Sequence, residues 1–161
     1  MEAVNHPSHY NKPGRKECIE EMIDLYGLDA VITFCTLNSY KYLYRYDLKN
    51  GQEDLDKAQW YETKGLELAE GSGKNKIAKH FGLESQMQQL IEEMAELTQA
   101  ICKHKRGLNV EENLIEELAD VKLVLEQVIL LLHAESDVQK VVNQKIERTL
   151  ERIKLNVNQI W

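Results

Sequence analysis

Two acidic clusters set inside helical apolar pattern constrain this chain more than any other feature. They read Gln89-Leu-Ile-Glu92-Glu93-Met-Ala-Glu96-Leu and Leu114-Ile-Glu116-Glu117-Leu-Ala-Asp120-Val, both within residues 86–132. At about 100° per residue, Glu93 and Glu96 fall in one sector of a helix, beside an apolar stripe of Met87, Leu90, Met94, Leu97 and Ile101. Glu117 and Asp120 stand in the same relation to Leu114, Leu118, Val121 and Leu125. Both pairs are therefore expected to flank the core rather than oppose it. Between the clusters, Lys103, His104, Lys105 and Arg106 suit the last turn of one helix, and Gly107 suits its C′ position. Asn109 with Glu112 resembles a capping box opening the next. The pattern predicts a helical hairpin with helices over 83–104 and 111–133. At about 1.5 Å per residue, Glu96 lies roughly 16 Å before the turn and Glu117 roughly 12 Å after it, so the two carboxylate pairs face each other.

Four carboxylates gathered near an apolar core repel one another, and their charged forms lose hydration unless a cation sits among them. A hard divalent ion such as Mg²⁺ meets that need, because it takes oxygen ligands, keeps some waters and commonly bridges carboxylates to phosphates. One such acidic cluster is usually a solvated helix face. Two matched clusters on consecutive helices, each beside an apolar stripe, point to a site.

The spacing of the clusters, ExxE then ExxD on consecutive helices, resembles the all-α nucleoside triphosphate pyrophosphohydrolases of the MazG type over residues 76–154. The resemblance implies that Glu93, Glu96, Glu117 and Asp120 bind Mg²⁺, with Mn²⁺ as the alternative ion. It also implies a helical bundle assembled as a homodimer or homotetramer. Glu92, next to the ligand pair, is either the group that orients or deprotonates the attacking water or a solvated acid. A last helix, expected from Ser136 or Asp137 to about residue 159, carries the stripe Val142, Ile146, Thr149, Ile153, Val157 and Ile160. Its segment Asn143-Gln-Lys145-Ile-Glu-Arg148 resembles the family's basic phosphate-binding segment, with Ile146 where an aromatic is usual. Lys145, Arg148 and Arg152 lie on one flank of that stripe and are expected to face the acidic crevice across the bundle, with Asn143 beside them.

The amino-terminal part reads as a separate small helical domain. Helices are expected over 16–26, from Asp29 as cap to about Tyr46, and after the turn Asn50-Gly51. Three stretches, Asn5-His-Pro-Ser-His-Tyr10, Lys41-Tyr-Leu-Tyr-Arg45 and Glu53-Asp-Leu-Asp-Lys57-Ala-Gln-Trp60-Tyr61, resemble a small phage-associated family of undefined function (DUF3310/SaV-like) that includes the nucleotide kinase of a T7-like phage. Lys41 and Arg45 share a helix face and form, with His6 and His9, a candidate second nucleotide contact, Tyr or Trp60 stacking on a base. The alternative is that the aromatics pack the core and the cations cover its rim.

Residues 70–76, Glu-Gly-Ser-Gly-Lys-Asn-Lys, mark the boundary. They are not a P-loop, because GxxxxGK[ST] would need Gly at Leu68 and Ser or Thr at Asn75. The organisation is then an all-α chain: a small helical domain over 1–70, a linker over 71–82, and a MazG-like helical bundle over 83–161.

At 161 residues and 43% hydrophobic content the chain can bury a core in each part. A net charge of −7 and a pI near 5.3 argue against DNA or RNA as partner, although a nucleotide remains compatible where a metal mediates. Cys18, Cys35 and Cys102 lack CxxC spacing and read as buried reduced thiols. The longest apolar run, 128–132, is too short to span a membrane, so a soluble intracellular protein is expected, and the resemblance of the amino-terminal part implies a phage protein working in its host's cytoplasm. The function implied is hydrolysis of a nucleoside triphosphate to monophosphate and pyrophosphate. The rivals are a nucleoside monophosphate kinase working through Lys41 and Arg45, and a non-catalytic module binding nucleotides or a host protein.

Overall fold

Local chemistry sets where the helices begin and end. The computed structural model describes Gly14 and residues 16–158, with side chains described through residue 154, and His6 and His9 lie outside the described residues. Among the described residues there are six helices and no strand: α1 (Cys18–Tyr26), α2 (Leu28–Arg45), α3 (Gln52–Gly71), α4 (Gly73–Lys105), α5 (Glu111–Leu131) and α6 (Glu135–Asn158). The chain is all-α. No described helix is long and apolar enough to cross a membrane.

Several helix ends differ from expectation. α1 starts at Cys18, after Glu17 and Glu20 close a reciprocal capping box in which the Glu17 backbone N–H donates to Glu20 Oε2 at 3.1 Å. α2 starts at Leu28 behind Gly27, so Asp29 sits inside the first turn instead of capping it. Asn109 and Glu112 form no capping box, because α5 starts one residue after Val110 with Glu111 and Glu112 in its first turn, where their charge favours the helix dipole. α6 begins at Glu135, just ahead of the expected Ser136 or Asp137.

The residues expected as a linker are largely helical. α4 runs from Gly73 and is broken once, at Gly82, whose φ of 78° and ψ of 170° suit only glycine. Its first segment, residues 73–81, is held by an ion pair of Lys74 Nζ with Glu126 Oε2 on α5 at 2.8 Å and by burial of Asn75 and Ala78. The chain divides into two compact units, Met1–Gly73 and Lys74–Trp161.

In the first unit, α2 packs closely on α3, and a Cβ at Gly65 would lie 3.2 Å from Cys35 Cβ. Ile19, Val31 and Cys35 form the core, with Met22, Ile23, Phe34, Trp60, Tyr61 and Leu68 against it. Tyr61 receives Phe34 and Trp60 edge-on and stacks on Tyr42 at 5.7 Å. Burial pushes the Cys35 thiol up, although Lys64 opposes the shift, so Cys35 stays a neutral apolar group. Cys18 and Cys102 are exposed, contrary to the expectation of buried thiols, because one opens α1 and the other lies on the outer side of α4.

Among the described residues, Asp54 is the buried charge of that unit. Its side chain is 0% exposed and is gripped by Arg45 through Nε at 2.9 Å and Nη2 at 3.2 Å, with the Asn50 amide donating at 3.2 Å. Lys41 hydrogen-bonds Asn38 and lies over the Tyr42 ring at 4.4 Å, with Arg45 over the same ring at 4.7 Å. Both cations thus lie over one ring, that of Tyr42, while Tyr40 and Tyr44 of the same stretch are exposed.

In the second unit, the side of each helix that is covered differs from the expected stripe. Along α4 the covered line is Gln86, Leu90, Glu93, Leu97 and Ala100, whereas Met87, Met94 and Ile101 are exposed. Along α5 it is Asn113, Glu117, Asp120, Val124 and Gln127, whereas Leu118 and Leu125 are exposed. The carboxylates thus lie on the seam itself. The hairpin turn closes as expected at Gly107, φ 78°, with Leu108 N–H on Lys103 O and Gly107 N–H on His104 O. α5 ends in the same motif with His133, φ 52°, in glycine's place.

Two stability outcomes follow. Glycine at position 133 relieves a left-handed backbone carrying a Cβ, so His133→Gly should stabilise by about 0.5–1 kcal/mol in denaturant titration. Arg45, then Asn50, holds the Asp54 carboxyl below its ordinary 3.8, so Asp54 supports the fold above that value and loses this support as pH falls through its depressed pKa. Asp54→Asn should lower Tm near neutral pH, with the difference from the parent vanishing in strong acid. Arg45→Met, which strands the buried charge, should cost more at neutral pH.

Candidate metal centre

The hairpin places one carboxylate oxygen each from Glu93, Glu96 and Glu117 within 4.8 Å of one another. Glu93 and Glu117 are half-buried on the facing seams, and Glu96, one turn beyond Glu93, reaches the cluster from the exposed edge. Amides one turn away orient the two seam acids: Gln89 Nε2 donates to Glu93 Oε1 at 2.6 Å, and Asn113 Nδ2 to Glu117 Oε1 at 2.8 Å. The other oxygen of Glu117, Oε2, is buried with no hydrogen-bond partner.

Electrostatics mark the cluster as short of positive charge. Glu117 above all, then Glu93 and loss of hydration, a hydrogen bond with Glu117 and the charge of Asp120 raise the Glu96 carboxyl above its ordinary 4.5. The charges that raise it, those of Glu117, Glu93 and Asp120, are all acidic. An all-oxygen donor set, like charges close enough to share one ion, and an orphaned buried carboxylate oxygen together fit a hard divalent cation.

The other expected site residues are placed differently. Asp120 lies on the α5 seam and acts on Glu96 through its charge, without joining the tightest group of oxygens. Glu92 is exposed and accepts a hydrogen bond from Gln88 at 3.2 Å, one residue off the seam. Lys145 lies along an open groove of about 330 Å³ lined by Val142, Ile146, Thr149 and Leu150, all on α6. Asn143, Arg148 and Arg152 are exposed, and Asn143 accepts from Gln139 at 2.9 Å. The expectation that α6 faces the acids across its own bundle is not met, because every described side chain from Glu135 to Lys154 is exposed. Arg45 in the first unit is committed to Asp54. Sequence reasoning misses Gln86 and Gln127, which are buried polar side chains on the same two seams. Their signal is the heptad spacing from Glu93 and Asp120.

A raised carboxyl pKa supports the fold when protonated and works against it when charged, so this contribution is lost as pH rises above 4.5. In metal-free protein Glu96→Gln should therefore raise Tm near neutral pH, on the order of a few degrees, with no gain in acid. A divalent cation should stabilise the parent chain at neutral pH and leave Glu96→Gln nearly unmoved, as read by calorimetry with and without the ion.

No curated protein and no solved structure matches the chain. Residues 4–63 match a family described as a protein of unknown function, DUF3310. Residues 81–155, which hold the whole acidic cluster, match the MazG nucleotide pyrophosphohydrolase domain, and the match supports nucleotide pyrophosphohydrolase activity for this segment.

Proposed function

We propose that the chain is a Mg²⁺-dependent nucleotide pyrophosphohydrolase: a nucleoside triphosphate and water give the monophosphate and pyrophosphate, by cleavage between the α- and β-phosphorus. The observation that carries this reading is the convergence of Glu93, Glu96 and Glu117 within 4.8 Å inside the segment matching the MazG domain. Those three carboxylates, with Asp120 behind them, would hold Mg²⁺ or Mn²⁺. The ion, when bound, supplies neutralisation of the polyphosphate and acidifies the attacking water.

The chain's own residues do the rest. Gln89 and Asn113 fix the rotamers of Glu93 and Glu117, which keeps their oxygens converged before substrate arrives. Lys145, Arg148, Arg152 and Asn143 remain the candidates for the outer phosphates, where cations offset the charge gathered by the leaving pyrophosphate. They reach the acids from a second copy of the chain. The uncovered apolar line Val142, Ile146, Leu150 and Ile153 on α6, and the uncovered Met87, Met94, Leu118 and Leu125 on the hairpin, support a homodimer or homotetramer. The likeness of the first unit to a phage-associated family supports a place in phage nucleotide metabolism in the host cytoplasm.

Purified protein incubated with a panel of nucleotides and Mg²⁺ should release pyrophosphate and monophosphate, and chelation should abolish release. Glu96→Gln and Glu117→Gln should each lower kcat/KM on the order of a hundredfold or more. ADP formed only with a monophosphate acceptor would favour a kinase, and no turnover with any divalent ion would favour a binding module.

A further inference from the structure

Two buried amides share the seam with the acids. Gln86 lies seven residues before Glu93 on α4, and Gln127 lies seven residues after Asp120 on α5. Seven residues are two turns, so each amide projects from the same side of its helix as the corresponding acid, about 10 Å further along. Because the hairpin helices run in opposite directions, both displacements lead the same way, away from the turn at Gly107. Gln86 is 4% exposed and Gln127 1%. Yet the Gln86 Oε1 acceptor and the Gln127 Nε2 donor each have no hydrogen-bond partner. A buried amide atom left unpaired loses its hydration without compensation, and such atoms are rare in folded chains.

We propose that Gln86 and Gln127 are specificity residues that read the hydrogen-bonding edge of the nucleotide's base. This rests on the pyrophosphohydrolase reading above. One amide offers a free acceptor and the other a free donor, and a base edge presents a donor beside an acceptor. Turning both amides by half a revolution exchanges acceptor and donor, so the pair matches the donor–acceptor edge in either order. With the polyphosphate at the acids, the sugar spans the seam and the base edge arrives at the amides. The first segment of α4 covers this end: Lys74 pins it to Glu126, the neighbour of Gln127, and Gly82 joins it to the seam helix. On this proposal the base enters when the Lys74–Glu126 ion pair opens and the segment swings about Gly82.

The test uses the full chain with Mg²⁺. kcat/KM is measured for the ribo- and deoxyribonucleoside triphosphates, and for the best of them against its edge-methylated analogue, N1-methyl for a purine or N3-methyl for a pyrimidine. The parent should reject the analogue by on the order of tenfold or more. Gln86→Leu and Gln127→Leu, which keep volume but remove the amide, should bring that ratio to within about twofold, while Mg²⁺ still raises Tm. Gln86→Met and Gln127→Met serve where a leucine variant fails to fold. Variants that lose stability but keep the parent's rejection of the analogue overturn the proposal and leave the amides a packing role. Absence of turnover by the parent chain itself overturns the hydrolase reading instead, and is recognised before any variant is made.

Discussion

Mutual repulsion of carboxylates that are partly stripped of water governs the second unit. Glu93 and Glu117 stand on facing helix seams where leucine or valine would pack at lower cost, and Glu96 joins them closely enough for its proton affinity to rise. Among the described residues the charges that raise Glu96 are those of Glu117, Glu93 and Asp120, all acids, and Oε2 of Glu117 is buried with no hydrogen-bond partner. Strain of this kind clusters at functional sites, and the all-oxygen donor set fits a cation.

The first unit meets the same physical problem and solves it internally. Asp54 is more deeply buried than any acid of the cluster, but Arg45 grips both of its oxygens and Asn50 adds a third bond. The result is a carboxylate held charged rather than pushed toward neutrality. That ion pair also uses up the guanidinium that would otherwise be free for phosphate, and leaves Lys41, beside the Tyr42 ring, as the less constrained cation there. Charge compensation from within marks Asp54 as structural, whereas the hairpin acids, left uncompensated among the described residues, remain the candidate site.

Uncovered apolar surface is the second unfinished feature of the hairpin. Along the seam, Leu90, Leu97 and Val124 alternate with Ala100, Gln86, Gln127 and the acids, while Met87, Met94, Leu118 and Leu125 are turned outward. α6 repeats the pattern, with a well-formed stripe and no cover along its described side chains. Packing a second copy against these faces would remove large side chains from water and deliver the cations of α6 to the acids.

Sequence alone determined the helical class, the hairpin, its glycine turn, and the pairing of Glu93 and Glu96 with Glu117, because 3.6-residue periodicity and capping are local and are written in consecutive residues. The proximity of the two acidic clusters was legible because a short turn leaves antiparallel helices no other register. Only the tertiary structure decided which side of each helix is covered. Periodicity relates residues by angle but does not name the neighbour, so Met87, Met94 and Leu118 read as core while Gln86, Glu93 and Gln127 took the seam. The same reason hid the Arg45–Asp54 grip and the exposure of α6: both depend on what lies across from a helix face, and that partner is distant in the chain or lies outside it.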